Sequence, residues 1–353
     1  MDPHAVDGVS TRADPPAGLP AVPAVPAVPD EYGRPSGELL DCRSILNART
    51  PDGVEAVFEW ALASAASYPA DDYAAFRRAG AEHVGCRASQ VVPTAGRRAG
   101  IRLAMEATVS AGDDVLVPIH ARGEYVRETR LNGGEPTVCA REELYKLDPV
   151  PFGLVVARQP DDRTGEAYDP DRLRAYAERC REAGTPLLVD ESLLGFTTLP
   201  SLAGTPGVIV VRSLAAICGL PALRAGFLVA TDGYRDRLDT ARLTWGLGAP
   251  GSAVGTYCMG RSSFFDETRT RTRQERERMA DRLGTRFEVT SSAGPVLLVE
   301  LPSTERVDDL LSTLQDAGIL VQDARQFRGL DRHVRLTVRT AQDNERLLEA
   351  FEV

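Results

Sequence analysis

Between residues 113 and 230 the chain repeats one pattern, a short run of consecutive apolar residues followed by a stretch of helical periodicity. The runs cover 115–118, 152–157, 186–189, 208–211 and 226–230. A strand with one face in water alternates apolar and polar residues, whereas an unbroken apolar run buries both faces. Such runs, with helices between them, specify an α/β fold in which a mostly parallel sheet carries helices on both sides. The spacing predicts helices over 56–67, 73–84, 99–110 and 171–183. A charged helix over 266–283, where Arg and Glu alternate, reads as a solvated face. Beyond it the pattern changes to strand 296–301, helix 305–317, strands 319–321 and 334–338, and helix 343–351. That is a smaller α+β domain.

Residues 1–38 differ from the rest. Pro15-Pro16 precedes three copies of Ala-Val-Pro between Ala21 and Pro29, and proline at every third position supplies neither ladder donors nor helix hydrogen bonds. This predicts an extended tail, read as a passive linker with partner binding as the alternative. The expected organisation is therefore a tail over 1–38, a large domain with its N-terminal arm over 39–260, and a linking helix with a small domain over 261–353.

Charge and cysteine usage exclude several classes. A net charge of −10 argues against a nucleic-acid backbone as partner, since such a footprint needs a basic face. No apolar run reaches the roughly 20 residues of a membrane-spanning helix, and the N-terminus has no apolar signal core. The six cysteines contain no C-x-x-C pair, which fits reduced thiols and no metal centre. A cytoplasmic location is expected, with neither nucleic acid nor membrane as partner.

In an open parallel sheet chemistry gathers at the carboxyl ends of the strands. Three such ends stand out. Pro160-Asp161-Asp162-Arg163-Thr164-Gly165 follows one strand, and Val189-Asp190-Glu191 ends the next. Arg212-Ser213-Leu214 ends a third and leads into Gly219-Leu220-Pro221-Ala222-Leu223-Arg224-Ala225-Gly226-Phe227. In order and spacing these resemble the class I/II, fold-type I aminotransferases that use pyridoxal phosphate. The nearest branch looks like histidinol-phosphate aminotransferase and threonine-phosphate decarboxylase, with their NNPTG turn, Asp-Glu strand end, S-L-T-K and G-L-P-G-L-R-L-G-Y. Tyr68-Pro69, Gly112-Asp113, Trp245, Gly318-Ile319 and Arg335-Leu336-Thr337 fall in the same order, so the resemblance covers about 39–353.

The resemblance implies a pyridoxal phosphate site made of Asp190 on the pyridine nitrogen, the electron sink of this chemistry, and of Ser213, Arg224 and Gly96 at the phosphate. Tyr68 would reach the phosphate of the other subunit across a dimer interface. Arg335 would grip a substrate carboxylate with its planar fork. The family's Schiff-base lysine, which is nucleophile and general base together, falls on Ala216, so no catalytic residue is assigned. Neighbouring positions depart as well. The ring-hydroxyl asparagine falls on Asp162 and the next proline on Arg163. A tyrosine falls on Leu193, the small polar residue after Gly96 on Arg97, and the stacking aromatic near Arg122. Ser-x-Ala-Asn-Phe becomes Ser291-Ser292-Ala293-Gly294-Pro295.

Lysine count sharpens this. Of 41 basic residues, 40 are arginine and one is lysine, Lys146, and arginine forms no Schiff base. Lys146 precedes the strand at 152–157, at that strand's amino end, roughly 20 Å from the catalytic end. It is expected in solvent.

The favoured reading is thus a pseudoenzyme or redirected homologue, keeping an anion-binding cleft on which Arg97, Arg122, Arg163, Arg224 and Arg335 could converge. It would be a homodimer, or a heterodimer with an active paralogue. Two alternatives stay open. One is an aminotransferase or decarboxylase acting on an amino acid or its phosphate, holding pyridoxal or pyridoxamine phosphate noncovalently, with His120 or Tyr125 as base; otherwise those two are plain loop residues. The other is an ordinary enzyme whose lysine was replaced by Ala216.

Overall fold

The computed structural model describes residues 39–63, 65–119 and 123–352. The tail over 1–38, together with His120 and Arg122, lies outside them. The described chain forms two compact units. One comprises 46–161 with 166–271, the other 39–45 with 162–165 and 272–352. The expected boundary at 260/261 thus lies within the first unit, and the N-terminal arm over 39–45 goes with the second.

β1 (Leu40–Asp41) opens the described chain and belongs to the second unit. The first unit begins with α1 (Val54–Ala63), α2 (Ala74–Val84), β2 (Val91–Thr94), α3 (Gly96–Thr108), β3 (Asp114–Pro118) and α4 (Glu124–Leu131). It continues with β4 (Glu135–Cys139), β5 (Leu154–Arg158), α5 (Pro170–Ala183), β6 (Leu187–Asp190), β7 (Val208–Ser213) and β8 (Gly226–Val229). α6 (Asp232–Ala241) and α7 (Ala249–Met259) complete it, and α8 (Ser262–Leu283) contains the boundary between units.

The seven strands are ordered β2-β8-β7-β6-β5-β3-β4. The five from β7 to β4 are mutually parallel, and β8 runs antiparallel to both β7 and β2. The sheet is therefore mostly parallel, as the apolar runs require. Every residue of β5 and β6 is buried. Val92, Val115, Leu154, Val156, Leu188 and Ile209 pack with Ile101 and Met105 of α3 into one core. Local sequence sets the helix ends. Asp169 accepts hydrogen bonds from the Asp171 and Arg172 amides with Pro170 in the first turn, and Gly184 closes α5 in the left-handed region at φ 75°.

Within the first unit, five helices and strands were not evident from the apolar pattern: β2, β4, α4, α6 and α7. Both missed strands are the edges of the sheet, and both contain a proline, Pro93 and Pro136. Proline is tolerated at an edge, where one side of the strand needs no ladder donors, and it weakens the strand signal in sequence.

The second unit builds a four-stranded antiparallel sheet, order β12-β13-β10-β9, from β9 (Glu288–Val289), β10 (Val296–Glu300), β12 (Gln322–Asp323) and β13 (His333–Thr337). α9 (Thr304–Asp316) and α10 (Ala341–Ala350) accompany it, and β11 (Ile319–Leu320) pairs in parallel with β1. Its core joins Leu40 and Cys42 to Leu297, Val299, Val334, Leu336 and Leu347.

Candidate functional site

In the first unit β5, β6 and β7 end side by side, with Arg158 in register with Asp190 and Asp190 with Val211. The order 4-3-5-6-7 reverses direction between β3 and β5, which is where a doubly wound sheet opens a crevice beyond its strand ends. Asp190 ends β6, the strand next to β5, and has no exposed side-chain surface.

Protein groups already surround its carboxylate. Oδ2 accepts from Arg97 Nε at 2.5 Å and from the Tyr125 hydroxyl at 2.6 Å, while Oδ1 accepts from the Ser192 amide at 3.0 Å. Arg158 Nε lies 3.8 Å from Oδ2. Arg97 reaches further, donating from Nη2 to the Tyr125 hydroxyl at 2.9 Å and pairing with Glu124 at 2.6 Å. One guanidinium thus ties the first turn of α3 to the end of β6 and to the first turn of α4. The Arg97 and Arg158 guanidinium carbons lie 5.7 Å and 5.9 Å from the centroid of the Tyr125 ring.

Burial opposes ionisation of Asp190, but Arg97 and Arg158 and the hydrogen bonds from Ser192 and Tyr125 outweigh it, holding the carboxyl well below the usual carboxylate range. Burial also pushes the Tyr125 phenol well above its ordinary value, against the pull of Arg97. A phenol held protonated in this way is a donor, not a base. Tyr125 is accordingly no loop residue; it is fully buried in α4, which corrects both roles considered for it.

A second group of residues gathers beside Gly96. Ser213 pairs with Gly226 across β7 and β8. A Cβ on Gly226 would stand 3.0 Å from the Gly96 Cα, so the start of α3 is packed onto this strand pair. Arg224, held at the unfavourable φ of 52°, extends Nη2 to within 3.0 Å of where a Gly96 Cβ would sit. Gly96 itself, at φ 81°, opens α3, whose N-cap Ala95 offers no side-chain cap. The first-turn amides of α3, a serine hydroxyl and an exposed guanidinium make an anion-compatible corner.

Ala216 lies in the turn after β7, where its carbonyl accepts from the Asn47 and Gly219 amides at 2.9 Å and 3.3 Å. Leu193 is buried and has no polar group to offer. Lys146 is exposed at the end of a 3₁₀ turn before β5, on the amino side of that strand. Tyr68 is 79% exposed and stacks on Trp245 at 4.3 Å.

The remaining sequence-predicted residues belong to the second unit. Arg335, buried on β13, donates Nη1 to the Asp162 carbonyl at 2.9 Å and Nη2 to the Arg43 carbonyl. Arg163 pairs with Asp162 and lies over the Phe327 ring at 5.2 Å. Arg97, Arg163 and Arg335 therefore each engage protein groups where convergence on an anion was expected. Arg158 and Glu124 went unnoticed in sequence. An arginine ending an apolar strand was the available signal for Arg158; Glu124 follows a loop with no pattern.

The residues present test the implied cofactor. At the phosphate end they fit, since Gly96, Ser213 and Arg224 converge. At the ring end they do not. A carboxylate oxygen offers about two lone pairs, and both of those on Asp190 Oδ2 are taken by Arg97 and Tyr125. A pyridinium placed there would be a third cation, beside Arg97 and Arg158, against the two carboxylates Asp190 and Glu124.

The family model of aminotransferase class I and II matches residues 48–351. Histidinol-phosphate aminotransferase 1 of Archaeoglobus fulgidus is 24% identical over 292 residues, covering 81% of this chain and 89% of its own. The crystal structure of L-threonine-O-3-phosphate decarboxylase from Porphyromonas gingivalis superposes with a TM-score of 0.79 at 20% identity, covering 89% of this chain and 98% of that one. Histidinol-phosphate aminotransferase from Sinorhizobium meliloti in complex with pyridoxal-5'-phosphate gives a TM-score of 0.79 at 19% identity, covering 91% of each chain. With the family match spanning most of the described residues and the strand order of a mostly parallel sheet, the chain belongs to the class I and II aminotransferases, a pyridoxal-phosphate-dependent family of fold type I.

Proposed function

We propose that this chain is a non-catalytic member of its family, a pseudoenzyme that keeps the scaffold and an anion-binding corner without the family's covalent chemistry. Two positions together carry the reading. Residue 216 is alanine, and the Asp190 carboxylate is engaged by Arg97 and Tyr125. An alanine methyl can neither form a Schiff base nor move a proton. Buried, and hydrogen-bonded at both carboxylate oxygens, Asp190 is a structural anion in this reading. The corner at Gly96, Ser213 and Arg224 supports a small anionic ligand, with a phosphate group the best match to helix amides and a guanidinium.

The reading extends to assembly. Tyr68, Trp245 and Leu243 of the first unit are exposed aromatic and apolar side chains, which supports a two-fold dimer with a second copy or with a lysine-bearing paralogue.

The experiment is reduction. Purified full-length protein incubated with pyridoxal phosphate and treated with borohydride is expected to gain no phosphopyridoxyl mass. It is also expected not to convert an amino acid to its keto acid or decarboxylate an amino-acid phosphate. A stable adduct on Lys146, or turnover of either kind, would overturn the reading. Co-purification with a paralogue carrying the lysine would identify the heterodimer.

A further inference from the structure

We propose that Arg97 is a built-in substitute for the cofactor's ring cation, so that the guanidinium and a pyridinium-bearing ligand exclude each other at Asp190. The inference deepens the reading above by naming which residue closes the pocket and against what class of ligand. Pyridinium-bearing phosphates are refused, while simple phosphate is still accepted at the neighbouring corner.

A buried carboxylate must keep a cation or several donors, since an uncompensated charge in the interior is costly. In this chain the requirement is met from within. Arg97 Nε at 2.5 Å and the Tyr125 hydroxyl at 2.6 Å fill Oδ2, and the Ser192 amide occupies Oδ1. Glu124 at 2.6 Å fixes the far side of the Arg97 fork, so the guanidinium is held from both ends. To admit a ring nitrogen, Arg97 would have to leave two carboxylates and a phenol at once. Nothing of the kind obstructs the phosphate end. Arg97 is the second residue of α3, pointing its side chain to Asp190, while the backbone start of the helix at Gly96 faces Arg224 and Ser213 stands on the adjoining strand pair.

Replacing Arg97 by serine should therefore open the ring end without touching the phosphate end. The probe is pyridoxamine phosphate, which has a pyridine ring and a phosphate but no aldehyde, so its binding needs no lysine. Inorganic phosphate is the control. Thermal unfolding and calorimetric titration of the full chain are compared for wild type, R97S and R97S/D190N. Wild type is expected to bind pyridoxamine phosphate no more tightly than inorganic phosphate. R97S is expected to bind it at least about tenfold more tightly than wild type does, about 1.4 kcal/mol, and to recover melting temperature when it is added. The gain should vanish in R97S/D190N, where the ring nitrogen has no charged partner.

Equal affinity of wild type and R97S for pyridoxamine phosphate would overturn the proposal, as would a gain that survives in R97S/D190N. Should R97S not accumulate as folded protein, R97Q keeps a hydrogen-bonding side chain without the charge, and the same comparison applies. Wild type binding pyridoxamine phosphate at least tenfold more tightly than phosphate would also refute the exclusion by itself. These outcomes are separate from those of the reduction experiment. A turnover-competent wild type would sink the pseudoenzyme reading, whereas the exclusion is measured with a ligand that cannot react.

Discussion

Arg97 is a single residue doing what a bound group does in a family built around one, and its removal is the sharpest test at this scale. Truncating one partner of a buried, hydrogen-bonded ion pair leaves the other uncompensated, a loss of about 3–5 kcal/mol. R97M is expected to destabilise the first unit by that order in denaturant titration, while R98M, whose side chain is 82% exposed, should be nearly silent. Asp190 adds a pH signature. Its carboxyl is depressed in the native state, so its contribution is complete above the ordinary carboxylate range and is lost as pH falls below it. His83 titrates in a different window. Burial and the nearby Arg212 and Arg269 lower it to about 3, and its ring lies 4.5 Å from Phe265. The unfolded chain takes up a proton near pH 6.5 that the native chain refuses, so stability is full above that pH and declines as pH falls towards 4. H83Q is expected to flatten the melting temperature between pH 6.5 and 4, a window above that of the carboxylates; an unchanged slope would reject the assignment.

Among elements, the junction of α3 with β7 and β8 carries the proposed anion corner, and its packing depends on glycine at two places. Gly96 adopts φ 81°, where a side chain is strained, and Gly226 approaches so closely that a Cβ would stand 2.6 Å from the Arg212 carbonyl oxygen. G226A should cost about 1–3 kcal/mol through forced separation of the helix start from the strand pair. It should also abolish the rise in melting temperature caused by inorganic phosphate, which calorimetry can read beside wild type. At α5 the cap offers a control far from the site. D169A removes the acceptor of two amides and should lower stability by about 0.5–2 kcal/mol with phosphate binding unchanged. Element positions were legible where a pattern had a physical cause. β5, β6 and β7 showed as apolar runs because both their faces are covered. The edge strands β2 and β4 did not, because Pro93 and Pro136 break the run, and β4 exposes much of its length.

For the whole molecule, the exposed Tyr68–Trp245 stack and Leu243 predict a particle of about twice the chain's 38.1 kDa by light scattering. W245E should shift it to the monomer, and a monomeric wild type would refute the dimer. The sequence alone determined the fold class, since apolar runs between amphipathic helices bury themselves in one way, and it determined the alanine at position 216, since covalent identity needs no coordinates. Through the family resemblance it also marked Asp190, Ser213 and Arg224. Tertiary structure alone decided what these residues touch. Arg97, Tyr125, Arg158 and Asp190 are separated by up to 93 positions in the chain, and nothing in local spacing says that they share one buried carboxylate. Hydrophobic periodicity reports which face of an element is covered, and it is blind to which charges meet across elements, because those meetings are set by strand order and by the reach of long side chains. The arginine after Gly96 looked in sequence like one more anion-binding cation; in the fold its charge is spent on Asp190 and Glu124.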